Sequence, residues 1–302
     1  MQRPWPLEGL VNQAIDDLIV GAGKLPTIPS VYIRLRAVID NMRSSNRDVA
    51  ALISEDAALA ARLLRIANSS FYGFSSTIDS ITRAVTIIGT QQIADIVLAT
   101  VVREMFEDIP EDRVNMHGFW QDSIACGVTA RILATFRGAV NVERYFVAGL
   151  LHDIGRLVMF QSLGEKYWHI IDKAEETGEL LYVMERKVLG FDHGDVGARL
   201  LQRWELPQYM IDSVKYHHQS VGNRYTCIDA AVVHVADVIS MALRVARDET
   251  DVLISPLDEV AWNALALPVS IISPVASQLE LQYRDAAALI FPEGDESGYA
   301  CA

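Results

Sequence analysis

Cysteine is scarce. The 302 residues hold three, Cys126, Cys227 and Cys301, odd in number and widely spaced. No CxxC pair occurs, so neither a disulfide framework nor a zinc ribbon is indicated, and a reducing cytoplasm fits best. Positive charge is also short: 26 Lys and Arg stand against 39 Asp and Glu, a net charge of −13. Phosphate contacts need clustered Lys and Arg, so general nucleic-acid binding is disfavoured, although a small basic pocket is compatible with an acidic surface. No uninterrupted apolar run reaches the length of a bilayer span. The opening "MQRPWPLEGLVNQAIDDLIV" lacks the basic stretch followed by an apolar one that marks a secretory signal. The expectation is a soluble, cytoplasmic protein without a membrane partner. Gly-rich phosphate loops of the P-loop or dinucleotide type are missing. No Ser-His-Asp or Cys-His arrangement is indicated, and Cys126, in an apolar stretch, reads as core. The β-branched runs are short and lack Asn-Gly or Asp-Gly turns, which argues against hairpins.

What is present is helical periodicity. Apolar residues make up 51% of the chain, enough for a substantial core in two domains or in one large domain with an extension. In "VAALISEDAALAARLLRIANSSFYG", Leu52, Ile53, Leu59, Leu63, Leu64 and Ile66 recur at the threes and fours of a helix face. "SEDA" interrupts that pattern. Ser54 is the expected N-cap of the second helix, with Ala57 where a capping box would need Glu or Gln. "NSSFYG" ends that helix, and Phe71 and Tyr72 read as core packing rather than an interaction patch. "SITRAVTIIG" reads as a short helix closed by Gly89. In "TQQIADIVLATVVREMF" a stripe of Ile93, Ile96, Val97, Thr100, Val101 and Met105 is expected to face the core. These patterns predict an all-α fold, a bundle of a dozen or more helices. Two polar stretches, "FEDIPEDRVNMHG" (106–118) and "DETDVLISPLDE" (248–259), mark soft boundaries, and the tail "PEGDESGYACA" is expected to fray.

One apolar run carries two costly residues. "AGLLHDIGRLVMF" (148–160) reads as one buried helix, yet His152 and Asp153 sit in its middle. A buried carboxylate costs several kcal/mol unless it is paired or bound to a metal. Further candidates follow along the chain: His193 in "GFDHGDVGARLLQRWELP", His217 and His218 in "SVKYHHQ", and His234 with Asp237 in "HVADVISMAL". Side chains converging from several helices are how metal sites are built inside helical bundles. Imidazole with carboxylate suits Fe, Mn, Zn or Ni. Plainer roles stand beside this one. A buried histidine is more often a hydrogen-bonded core residue than a ligand. His193 either ligates or N-caps the helix that follows it. His217 and His218 either ligate or meet a helix C-terminus. His234 is a second-layer or ordinary helix-face residue, and His117 and His169, in polar stretches, receive no role.

The order Asp122, His152-Asp153, His193, His217-His218, Asp237 resembles the HD superfamily of metal-dependent phosphohydrolases, whose pattern is H…HD…H…HH…D on a helical scaffold. The likeness extends to "LPTIPSVYIRLRAVI", "ALISEDAALAARLLRIANSSFYG", "SITRAVTIIGTQQIADIVLA", "FVAGLLHDIGRLVMF" and "HGDVGARLLQRWELPQYMIDSVKYHHQ", which look like the HDOD domain, an HD-related output domain. The resemblance implies an N-terminal extension over 1–24, an HDOD domain over 25–220 with halves at 25–110 and 111–220, and a C-terminal helical extension over 221–302. It also implies a divalent metal held by His152, Asp153, His193, His217, His218 and Asp237. Asp122 stands in "FWQDSIACGVTARIL" where the family has its first metal histidine, and as a carboxylate able to ligate a divalent metal it is the seventh candidate ligand of an altered site. The cyclic-dinucleotide phosphodiesterase branch follows its double histidine with Glu and a GYP segment. Here Gln219 replaces that Glu and no GYP follows.

Hydrolysis of a phosphoester would need a metal-activated water and basic residues to hold the substrate. Arg156 and Lys215 are the candidate ligand contacts, with surface charge as their ordinary reading. The expectation is a regulatory, signal-transduction module whose His/Asp pocket binds a metal, a small nucleotide ligand or a signalling protein partner with little or no hydrolysis. The alternative is an active metal-dependent phosphohydrolase or phosphodiesterase acting on a nucleotide. Oligomeric state is not fixed by the sequence.

Overall fold

A computed structural model describes residues 6–21, 28–106, 109, 114–219, 227–248 and 253–291. Its helices run α1 (Pro6–Gly21), α2 (Ser30–Asp40), α3 (Asn46–Ile53), α4 (Ala57–Ala67), α5 (Ile81–Ile88) and α6 (Thr90–Val102). They continue with α7 (Met116–Phe136), α8 (Glu143–Leu151), α9 (Ile154–Leu163), α10 (Glu165–Thr177) and α11 (Leu181–Leu189). The last are α12 (His193–Arg203), α13 (Gln208–Tyr216), α14 (Ile228–Asp248), α15 (Glu259–Leu265) and α16 (Ile272–Ile290). No strand occurs among the described residues, so the fold is all-α as the periodicity predicts. No single helix among them is long and apolar enough to cross a membrane. The tail from 292 onward, residues 1–5 and 22–24 of the N-terminal extension, and parts of both polar boundary stretches lie outside the described residues.

The chain forms two units. One comprises Met1–Pro26, Ile109–Met116 and Leu151–Leu267; the other comprises Thr27–Asp108, His117–Leu150 and Pro268–Ala302.

In the second of these, local chemistry sets the helix ends. The break at "SEDA" does separate two helices, but Ser54 does not cap the second one. Its hydroxyl turns back to the carbonyl of Ala50, while Asp56 accepts the amide of Leu59 and is the N-cap of α4. The carboxylate two residues further on sits where the free amides of α4 emerge, a bond worth about 1 kcal/mol. Asn68 ends α4 and ties the following loop down: its amide donates to the carbonyls of Leu64 and Ile78, and its oxygen accepts the amide of Ile78. Gly89 closes α5 at a φ of 101°, in the region glycine tolerates. The expected stripe on α6 is too narrow, because every residue from Ile93 to Val102 is buried. The helix tightens into a 3-10 turn over Arg103–Phe106, and this rotation buries Phe106 and leaves Met105 half-exposed.

The buried Phe71 ring lies edge-on to Phe146 and beneath the guanidinium of Arg131, 3.9 Å from its centroid. Arg131 also reaches Glu143 at 3.8 Å and donates to Gln282 at 3.1 Å. Helices α7 and α8 cross at Gly127 and Gly149, where a Cβ on Gly149 would lie 2.7 Å from the Cα of Gly127. Asp285 of α16 accepts from the amide and hydroxyl of Ser70.

The first unit is built around α9, α12 and α13. Helix α1 is fixed to α12 by Asp16, whose two oxygens accept from Arg199 at 2.8 and 2.6 Å. A Cβ on Gly155 would lie 2.0 Å from the carbonyl oxygen of His193 and 2.7 Å from the amide nitrogen of Gly197. Gly194 in turn allows α12 to meet the end of α13, where its Cβ would lie 3.0 Å from the carbonyl of Val214. These glycines bring three helix termini to one point.

Candidate metal centre

The run "AGLLHDIGRLVMF" is not one helix. Helix α8 ends at Leu151, His152 and Asp153 occupy the turn, and Asp153 stands at the N-cap of α9. A carboxylate there would ordinarily cap the helix. The Asp153 side chain makes no capping bond; its Oδ2 accepts from Arg156 at 2.8 Å and its Oδ1 faces Nε2 of His193 at 3.1 Å.

His193 is the first residue of α12, and it does not cap that helix. Asp192 does, in a capping box with Asp195. Glu185, fully buried on α11, accepts both the backbone amide of His193 at 2.9 Å and its Nδ1–H at 2.7 Å. An ionised carboxylate only accepts, so the proton belongs on Nδ1 and Nε2 is turned into the pocket. The other oxygen of Glu185 accepts from the hydroxyl of Tyr167 at 2.5 Å. His217 terminates α13 as its C-cap, and its Nδ1–H donates to the carbonyl of Val214 at 2.7 Å. That leaves Nε2 of His217 buried without a hydrogen-bond partner, 3.7 Å from Asp153 Oδ1. Nε2 of His218 lies 3.0 Å from Nε2 of His193. Its buried Nδ1 has no hydrogen-bond partner, and its ring stacks on Tyr182 at 4.3 Å between centroids.

One donor atom from each of Asp153, His193, His217 and His218 lies within 4.8 Å of all the others. His152 and Asp237 adjoin this group: His152 Nε2 is 3.6 Å from Asp153 and 3.5 Å from Asp237. His234 has a structural role. It donates through Nδ1 to the carbonyl of His217 at 2.7 Å and accepts the amide of Asp258 at 3.0 Å, which anchors the end of α13 to α14. Asp122 lies on α7 and is not among the four residues of that donor group. Arg156 is engaged with Asp153, and Lys215 lies 5.3 Å from the ring of Tyr216. His117 stacks on Phe291 and His169 is exposed.

Electrostatics sort the histidines. Burial, reinforced by the neighbouring imidazoles, pushes His217 down to about 4 and His218 well below the usual imidazole range. Both are therefore neutral, the form in which imidazole ligates. For His193 burial also acts downward, but Glu185 and Asp153 outweigh it and raise the ring to about 10. Burial likewise opposes the charge on Asp153, yet His152, His193 and Arg156 hold its carboxyl well below the usual range. The pocket keeps its carboxylate ionised and favours positive charge at His193. Two ring nitrogens 3.0 Å apart require a proton or a metal ion between them. Metal bonds of roughly 2.0–2.2 Å place neighbouring donors roughly 3 to 3.5 Å apart. The observed 3.0, 3.1 and 3.7 Å separations bracket that spacing. The donor set fits a divalent metal.

Sequence reasoning missed Glu185, Tyr167 and Tyr182. They are three among the chain's 10 tyrosines and 39 acidic residues, with no spacing signal to single them out.

The family model for the HDOD domain matches residues 25–220. The chain belongs to the HDOD domain family. An HDOD domain protein of unknown function from Geobacter sulfurreducens shares the fold with a TM-score of 0.70 at 22% identity, over 93% of this chain and 98% of that one. A candidate metal-dependent phosphohydrolase from Shewanella amazonensis SB2B matches with a TM-score of 0.65 at 24% identity, over 94% and 97% of the two chains. An uncharacterized protein from Treponema pallidum (strain Nichols) is 26% identical over 214 residues. The match takes in 70% of this chain but only 40% of that relative's length. The HDOD fold thus carries a His/Asp cluster compatible with a divalent metal.

Proposed function

We propose that this HDOD protein is a regulatory, signal-transduction module of the cytoplasm whose pocket holds one divalent metal through Asp153, His193, His217 and His218, with little or no hydrolysis. The buried, unpartnered Nε2 of His217, set beside the facing Nε2 atoms of His193 and His218, carries the metal assignment. The cations around the pocket support the regulatory half. Arg156 is bound to Asp153, and Arg186 to Asp192 and Asp195. A phosphate substrate would have to compete with these carboxylates for its positive partners. The ion is Fe, Mn, Zn or Ni, and the signal is passed to a protein partner or taken from a small nucleotide ligand. The net charge of −13 disfavours general nucleic acid.

His152 and Asp237 favour a second reading. Their 3.5 Å contact beside the cluster offers further ligands for a phosphohydrolase acting on a nucleotide. A bound metal would supply an activated water and a Lewis-acid contact to the phosphate.

Elemental analysis of purified wild type and His193→Ala tests the assignment. The expected result is one equivalent of metal in wild type and none in the variant; metal-free wild type, after growth and purification with each candidate ion, overturns it. A panel of phosphodiesters that includes cyclic dinucleotides separates the two readings. Turnover above a His152→Ala control would replace the regulatory reading with the hydrolase.

A further inference from the structure

Helix α11 contributes nothing to the donor set, yet one of its faces grips the pocket at three points. Tyr182, Glu185 and Arg186 are spaced i, i+3 and i+4, which aligns them along that face. Tyr182 stacks on His218 with an interplanar angle of 14°. Glu185 holds the amide and Nδ1–H of His193. Arg186 Nε donates at 2.7 Å to Asp192, the N-cap of the helix that begins with His193.

These contacts bear unequally on the three imidazoles. His217 is oriented by its own helix through the carbonyl of Val214. His193 depends on Glu185. His218 has no hydrogen bond at Nδ1, so its orientation rests on the Tyr182 stack and on the rings of His193 and His217. Any displacement of α11 therefore disturbs two of three imidazoles at once. The helix is bounded by left-handed glycines, with Gly178 at φ 64° joining it to α10 and Gly190 at φ 86° ending it. Away from that face, Lys187 and Val188 are exposed.

We infer that α11 is the element through which occupancy of the pocket is passed to the protein surface, an inference that rests on the metal reading above. A metal at His193 Nε2 withdraws charge from the ring and strengthens its Nδ1–H bond to Glu185; a partner that bears on the outer face of α11 changes metal affinity by the same factor in return. Tyr182 and Glu185 are positioning residues, acting through His218 and His193.

Hydrogen–deuterium exchange on the full chain, with and without saturating Zn²⁺ or Mn²⁺, tests this, alongside calorimetric titration of each metal. Loading is expected to slow amide exchange across 181–190 several-fold. Glu185→Gln is expected to weaken metal binding by about 10- to 100-fold and to abolish the exchange difference even when saturated. Metal binding to wild type with unchanged exchange in α11 overturns the inference and leaves the metal reading intact. Absence of metal binding overturns both. The wild-type comparison decides the matter even if Glu185→Gln fails to fold. A role for Glu185 in stability alone would change exchange equally in the loaded and metal-free protein.

Discussion

Nε2 of His193 and Nε2 of His218 lie 3.0 Å apart, and the other ring nitrogen of His193 is committed to Glu185. In the proposed metal reading this pair marks where the cation is held. Glu185 and Asp153 draw positive charge onto His193, while burial keeps His217 and His218 neutral and able to donate their lone pairs. A proton satisfies the 3.0 Å contact but leaves Nε2 of His217 without a hydrogen-bond partner.

Metal addition should therefore stabilise the fold. At one hundred times its dissociation constant, a ligand of the native state alone adds about 2.7 kcal/mol. The wild-type Tm should rise on adding the metal and return on chelation. His193→Ala and His218→Ala should show no such rise. Equal rises in wild type and variants would place binding elsewhere.

Gly155 sets how closely α9 approaches α12. Adding a methyl there forces it to within 2.0 Å of the His193 carbonyl, and backbone cannot swing aside as a side chain can. Gly155→Ala should cost about 1–3 kcal/mol or more and should weaken metal binding, because Asp153 and His193 flank the contact. Gly9→Ala, with nothing within 4 Å of the added atom, should be neutral or stabilising. Chemical denaturation of both variants checks the contrast; similar stability for the two would count against close approach as the reason for Gly155.

The fold class was legible because apolar residues recur at helical spacing, and the cluster because histidine is rare enough to notice. Helix ends were less legible. An apolar run with no Gly or Pro between Leu150 and Ile154 gives no sign of a break, so the sequence places His152 and Asp153 mid-helix, yet they form the turn between α8 and α9. Ser54 competed with Asp56 for one cap, and the geometry favoured the residue nearer the free amides. The stripe on α6 failed because a helix buried all round has no solvent face to define a period. Glu185 was invisible for a different reason. Its role depends on α11 being folded back against His193, and no local pattern encodes that contact.

Asp95 should make stability depend on pH. It is fully buried on α6; burial raises its carboxyl to about 7, with Gln91 acting against the shift and Glu143 adding to it. Its ordinary value is 3.8, so between roughly pH 4 and 7 the native state binds more protons than the unfolded chain. This group's contribution is complete below that window and is lost as pH rises through it. Wild type should thus lose stability from pH 5 to pH 8 relative to Asp95→Asn, on the order of a few kcal/mol. Asp95→Asn should be the more stable of the two at pH 8. Parallel denaturation curves at both pH values measure the difference, and the same pH slope in both proteins would refute the assignment.

Arg131 and Glu143 form a buried pair, with side chains 10% and 7% exposed and charged atoms 3.8 Å apart. The guanidinium also covers the Phe71 ring and bonds Gln282, so it joins the loop after α4 to α7, α8 and α16. Removing one member of such a pair leaves the other charge buried without its partner, at a cost of about 3–5 kcal/mol. Arg131→Met keeps much of the packing over Phe71 and isolates the electrostatic loss. Glu143→Gln alone should be costly too, because it strands the guanidinium. The double variant Arg131→Met/Glu143→Gln removes both charges and should be markedly more stable than the sum of the single losses implies. Denaturation of the four proteins gives a coupling free energy, expected at about 1–3 kcal/mol. A coupling near zero would mean that Arg131 acts here through stacking on Phe71 and not through Glu143.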